Sequence, residues 1–228
     1  MKPLVAEVVG VWGAGKSALV SSIKAADRSI QVPLALWALP TVELLRGGVQ
    51  ALITIGGLFR AAGGPRWKEA RLLARLRALH RELQSQIRQG SRVVLFDEGP
   101  AVLLSWLRGA AHQTAGNGGP AAWWPKVLAE WAGSLDLVVF LDAPNPVLAH
   151  RIRTRSQRHP LKHKSDAEIS GLLEHHRAAY SSVLTELQAF GGPAVLSFRS
   201  DQQSIAEITE GVLATFEQRA TCALTPRH

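Results

Sequence analysis

Apolar residues fall along this chain in two rhythms. Leu4 to Val9 is a short, largely β-branched run interrupted only by Glu7, the pattern of a strand buried in a parallel sheet. Arg92 to Phe96, Leu135 to Leu141 and Ala194 to Phe198 repeat it, and Ser29 to Val32 is a weaker candidate. Between these runs the spacing becomes helical. Lys16 to Ala26 reads as a helix after a glycine-rich turn. Pro65 opens a long helix to about Gln89, with Leu72, Leu73, Leu76, Leu79 and Leu83 at helical spacing, and Gly90 closes it. Shorter helices are predicted over Val102–Leu107 and Trp123–Trp131. Asn145 is the expected cap, and Pro146 the first-turn proline, of another. Asp166 to Phe190 carries Ile169, Leu173, His176, Tyr180, Val183 and Leu187 on one stripe, so His176 and Tyr180 are expected in the core. Ser204 to Phe216 is the last predicted helix. Strands separated by helices predict an α/β domain whose parallel sheet is covered on both faces.

Two segments depart from this rhythm. Residues 34–63 are unusually apolar, punctuated by Pro40 and Gly47-Gly48, and read as two short helices. His112 to Pro120 is rich in Gly, Asn and Thr and reads as a loop. No repeat or linker divides the 228 residues, so a single domain over 1–228 is expected.

Composition narrows the class. The chain is 46% hydrophobic and 19% charged, which excludes intrinsic disorder. One cysteine excludes a disulfide scaffold and suits a reducing, cytoplasmic setting. The first residues do not form a signal peptide, since Glu7 and Gly10 interrupt the apolar run, and no transmembrane span is expected. The net charge of +8 admits nucleic acid, an anionic surface or an anionic small ligand as partner.

Position distinguishes these. Gly10-Val11-Trp12-Gly13-Ala14-Gly15-Lys16-Ser17 fits G-x-x-x-x-G-K-[ST] in full, between a predicted strand and a predicted helix. Glycines let the backbone wrap around phosphates, so the N–H groups of Gly13 to Ser17 are expected to point inward. Ala18 lies just beyond, in the first turn of the helix. The helix N-terminus adds partial positive charge. Lys16 is the expected phosphate cation, and Ser17 the expected Mg²⁺ hydroxyl. Asp97 and Glu98 end the strand Val93-Val94-Leu95-Phe96, at the sheet edge where ligands sit. Two roles are available to acids at that edge, holding Mg²⁺ and accepting a proton from an attacking hydroxyl. Asp97 is the expected catalytic and metal-side acid, and Glu98 is left open. Asp142, at the third strand's end, reads as a turn and cap. Arg151 and Arg155 share a helix face, and Arg158, Lys162 and Lys164 continue a basic lid over 151–166 that would place cations on a migrating phosphoryl group. Trp12 lies inside the phosphate loop and is a candidate for shaping the acceptor pocket.

These stretches resemble the nucleoside and nucleotide kinases among P-loop proteins, the thymidylate kinase-like branch in particular. The likeness rests on Gly10–Ser17, on the strand ending Asp97-Glu98, on Leu135–Pro144 with Arg151-Ile-Arg-Thr-Arg155, and on Phe198-Arg199-Ser200-Asp201. It implies a three-layer P-loop fold with five parallel strands in the order 2-3-1-4-5, ATP and Mg²⁺, and an adenine-side loop at Ser200 and Asp201. It places the acceptor near the apolar segment, with Trp37, Glu43 and Arg158 as further candidates. Thymidylate kinases carry Asp-Arg where this chain has Asp97-Glu98. A carboxylate there would repel a phosphate, so the expected acceptor is a hydroxyl rather than a nucleoside monophosphate. A homodimer through the apolar surface is plausible on the same pattern. The competing readings are a nucleotide switch or ATPase without acceptor, and a nucleic-acid-directed enzyme, suggested by the charge of +8 and kept open by the basic helix from Arg66 to Arg88.

Overall fold

The computed structural model describes residues 3–32, 67–113 and 123–222. Strand β1 (Leu4–Gly10) leads through the glycine loop into α1 (Lys16–Ala26). Helix α2 (Trp67–Arg88) precedes β2 (Val93–Asp97), α3 (Pro100–Gln113) and α4 (Trp124–Ala132). Strand β3 (Leu137–Asp142) is followed by α5 (Asn145–Thr154), a 3-10 turn at Pro160–His163, and α6 (Asp166–Ala189). Strand β4 (Ala194–Arg199) and α7 (Ile205–Cys222) close the order. The apolar segment 34–63, and Trp37 and Glu43 with it, lie outside the described residues.

The sheet is wholly parallel, in the order β2-β1-β3-β4. Its register sets the site: Val8 faces Asp97, Gly10 faces Leu141 and Asp142 faces Arg199, so the carboxyl ends of the strands share one edge. Five strands were expected in the order 2-3-1-4-5; four form among the described residues. At the weak candidate over 29–32, Gln31 makes one parallel bridge to Val94, donating to Val93 O at 3.0 Å and accepting from Leu95 N at 2.9 Å. The reason is local. Ser29 is tied into a turn by Asp27, whose Oδ1 accepts from its N–H at 2.8 Å and its hydroxyl at 2.7 Å. Pro33 then follows in sequence without an N–H for a ladder.

Side chains alternate across the sheet as strand geometry requires. Val5, Val9, Val94, Phe96 and Val138 face a layer built by α2, α3, α4 and α6, with Trp124 and Trp131 deep in it. Ala6, Val8, Leu95, Val139 and Leu141 face the opposite layer of α1, α5 and α7. Three layers therefore form, with the sheet in the middle. Leu73, Leu76, Leu79 and Leu83 are the buried stripe of α2, as their spacing predicts. Asn145 does not cap α5. Pro144 stands at the cap position with no side-chain bond, and Asn145 instead accepts from Arg177 Nη1 at 2.5 Å and donates to Glu174 at 3.1 Å. Helix α3 begins earlier than predicted, at Pro100, for a reason that lies in β1.

Candidate active site at the phosphate loop

The loop after β1 turns on two glycines in the left-handed region, Gly13 (φ +83°) and Gly15 (φ +96°). Gly15 is the cap residue of α1 and has no side chain to offer, and the first turn of the helix holds no acid. The N-terminus of α1 is thus left without a side-chain acceptor, the arrangement that suits an anion. One of the expected inward amides is already engaged: Ala14 N–H donates to Val11 O at 3.2 Å and closes the loop. Ala18 is exposed.

Lys16 lies folded along the loop. Its Nζ donates to Gly10 O at 3.0 Å and Val11 O at 3.5 Å, and sits 3.7 Å from Glu98 Oε1. Burial pulls the ammonium below its ordinary range, Arg155 adds to that, and Glu98 and Asp97 oppose it. The two acids of the β2 turn take different places. Burial, reinforced by Glu98, pushes the Asp97 carboxyl up, while Lys16 and a hydrogen bond with Ser17 pull it down. Its Oδ1 is buried with no hydrogen-bond partner among the described residues. Glu98 stands at φ +59°, a left-handed conformation that costs a non-glycine residue energy and is held by its surroundings.

Residues of the expected lid are engaged by their neighbours. Arg151 donates to Ser200 Oγ at 2.9 Å, to Ser200 O at 2.8 Å and to Gly13 O at 3.4 Å, so it ties α5 to both the phosphate loop and the loop after β4. Asp201 in that loop accepts from Arg199 at 3.1 and 3.2 Å. Arg153 pairs with Asp166 at 2.6 Å. Arg155 pairs with Gln157 and lies within electrostatic reach of Lys16. Arg158 is exposed. Asp142 accepts from Arg177 Nε at 2.8 and 3.0 Å and from Ala143 N–H at 2.8 Å, the turn role its position predicts.

Trp12 joins the loop to two histidines that its sequence position did not reveal. Its ring lies 4.0 Å from His176 and 5.8 Å from His159, centroid to centroid. Tyr180 is buried as expected, but His176 is only half buried. Burial lowers the pKa of both imidazoles, and the positive field of Lys16 reaches both. His176 also lines a cleft of about 570 Å³ between α3 and α6, with Ser105, Trp106, Arg108, His175 and Ser182 around it. Arg108 there is neutralised by Glu186 at 2.6 Å. The signal that could have found His176 is its place one helical turn before Tyr180 on a helix whose top reaches the loop.

Known folds place this arrangement. Similar solved structures include a deoxyadenosine kinase from M. mycoides with bound dCTP (TM-score 0.54, 13% identity, 94% of this chain and 100% of that chain covered). A shikimate kinase from Bacteroides thetaiotaomicron is similar as well (TM-score 0.50, 15% identity, 94% and 98% covered). The α/β fold, a parallel sheet flanked by helices, is like that of these two kinases. At such identities the likeness is one of fold, and the finer thymidylate kinase-like branch is not distinguished by it. No protein-family model and no curated protein matches the chain.

Proposed function

We propose that this chain is an ATP-dependent kinase that transfers the γ-phosphoryl group to a hydroxyl of a small-molecule acceptor. The observation that carries the reading is the convergence on Lys16: an uncapped helix N-terminus, a glycine loop, and two acids from the β2 turn. The amides of the loop and Lys16 hold the phosphates of ATP. Arg155 adds charge from the arm above. Arg151, already committed to Ser200 and Gly13, shapes the nucleotide side rather than the migrating group, with Ser200 and Asp201 bordering it.

Ser17 and Asp97 fit a divalent cation, because a buried carboxylate oxygen without a partner stands beside a hydroxyl. Mg²⁺ held there supplies neutralisation of phosphate charge. Asp97 is then the metal-side acid, which leaves Glu98 as the proton acceptor. The acceptor hydroxyl gives its proton to the Glu98 carboxylate as its oxygen bonds to the γ-phosphorus. The bond to the bridging oxygen breaks and ADP departs.

The α3–α6 cleft supports a neutral acceptor. It meets the phosphate loop through the tilted ring contact of Trp12 with His176, and it offers hydroxyls, imidazoles and the indole of Trp106. Arg108, which lines it, is neutralised by Glu186, and Glu98 sets a negative charge near Lys16. Those features disfavour a phosphorylated acceptor and favour a polyol, sugar or nucleoside. Acceptor-dependent release of ADP across a panel of such compounds and of nucleoside monophosphates checks this. Turnover with neutral hydroxyl compounds is expected; stimulation by monophosphates alone contradicts the assignment of the acceptor.

A further inference from the structure

The acid-bearing turn is held by a side chain from a different strand. Glu7 lies at the centre of β1, fully buried, with the same parity as the core residues Val5 and Val9. An apolar side chain is the default there, and an unpaired carboxyl at that depth is costly. Glu7 is paired three times over. Its Oε1 accepts from Gly99 N–H at 2.9 Å and Val102 N–H at 3.2 Å, and its Oε2 from Ala101 N–H at 2.7 Å. Pro100 between them has no N–H. Helix α3 is therefore capped from another strand, more than ninety residues away in sequence. The approach is close: a Cβ on Gly99 would lie 3.2 Å from Glu7 Cδ and 2.6 Å from Phe96 Cβ. Glu98, the residue at φ +59°, is bracketed by Asp97 and by the bonded Gly99.

We propose that Glu7 is a positioning residue which, by binding the backbone of Gly99, Ala101 and Val102, sets the direction in which Asp97 and Glu98 face Lys16. Its effect on turnover rests on the kinase reading above; its hold on the turn does not. Glu7 itself touches neither nucleotide nor acceptor.

Glu7→Gln preserves size and one acceptor oxygen but turns an N–H₂ group toward backbone donors. Amide hydrogen exchange is measured at Gly99, Ala101 and Val102, with kcat and KM for ATP alongside. Exchange at these three amides is expected to quicken by at least about tenfold, since their shared acceptor is disrupted. kcat is expected to fall about 10- to 100-fold, the scale of an ångström-level misplacement, with KM for ATP changed less than about threefold. Leu187→Ala, a core truncation in α6, serves as comparator and should lower Tm while sparing kcat. Unchanged exchange at the three amides overturns the proposal, as does an unchanged kcat in folded Glu7→Gln. Should that variant not fold, Gly99→Ala displaces the same backbone from the same carboxyl and is read by the same criteria. If the wild-type protein shows no acceptor-dependent turnover, the kinase reading fails, and the exchange measurement alone decides what Glu7 does.

Discussion

Lys16, held by two carbonyls and one carboxylate, is the residue on which the site's electrostatics converge. Lys16→Ala removes a charge-assisted contact to phosphate, and turnover should fall by about 10²-fold or more; a steady-state assay at saturating ATP checks it. Asp97 and Glu98 are separable by the same assay. Glu98→Gln should lower kcat by about 10²-fold, the scale of one lost proton acceptor, while leaving ATP and Mg²⁺ binding intact. Asp97→Asn should instead weaken Mg²⁺ binding, seen as a higher metal concentration for half-maximal rate. Glu7 adds a pH dependence. Burial raises its carboxyl from 4.5 to about 8, against the pull of three backbone amides. Between those values the unfolded chain releases the proton while the folded chain keeps it, so stability falls as pH rises. The stability advantage of the wild type over Glu7→Gln should shrink across that window and level off above about 8, read as the denaturation midpoint against pH. That Lys16, Ser17 and Asp97 come together was legible in the sequence because the signal is local: a motif and a strand end. Glu7 was visible only as an oddity, a carboxylate in an apolar run, since its partners lie more than ninety residues on. His176 read as core because its stripe is apolar, and only the packing of Trp12 against it brings it to the site.

The elements show the same division between local and distant causes. Helix α6 begins where a local rule predicts. Ser165 accepts from Glu168 N–H at 3.3 Å, and Glu168 accepts from Ser165 N–H at 2.9 Å, a complete capping box. Ser165→Ala should cost about 1 kcal/mol, measurable by chemical denaturation, with catalysis changed little because the cap lies outside the phosphate loop. Helix α3 begins at Pro100, a residue favoured in a first turn, but the cap on its free amides comes from β1. Helix α1 begins without any side-chain cap, which makes sense if an anion completes it. The shortfall of one strand has an equally physical cause. Among the described residues, 29–32 have the propensity, but the Asp27–Ser29 turn occupies their start and one bridge, Gln31 to Val94, is formed. Propensity reports what a segment tolerates; pairing requires length on both sides.

At the scale of the molecule, the three-layer α/β architecture was legible from the alternation of apolar runs and helical stretches, because burial on both faces of a sheet leaves a plain mark. Where the 26 lysines and arginines act was not, because sequence cannot show which of them are paired. Arg77 is bound to Glu130 at 2.6 Å, Arg108 to Glu186 at 2.6 Å and Arg177 to Asp142 at 2.8 Å, so several cations are spent inside the protein. Arg155 lies within electrostatic reach of Lys16 in the phosphate loop. No helix among the described residues is long and apolar enough to cross a membrane. These placements leave one decisive question, whether the γ-phosphoryl group is carried to an acceptor or to water. ³¹P NMR of the protein with Mg·ATP and a pool of neutral hydroxyl compounds answers it in one spectrum. A phosphomonoester signal growing in step with ADP is the predicted result, absent with Lys16→Ala. ADP accompanied only by inorganic phosphate, or no ATP consumed at all, would contradict the kinase assignment.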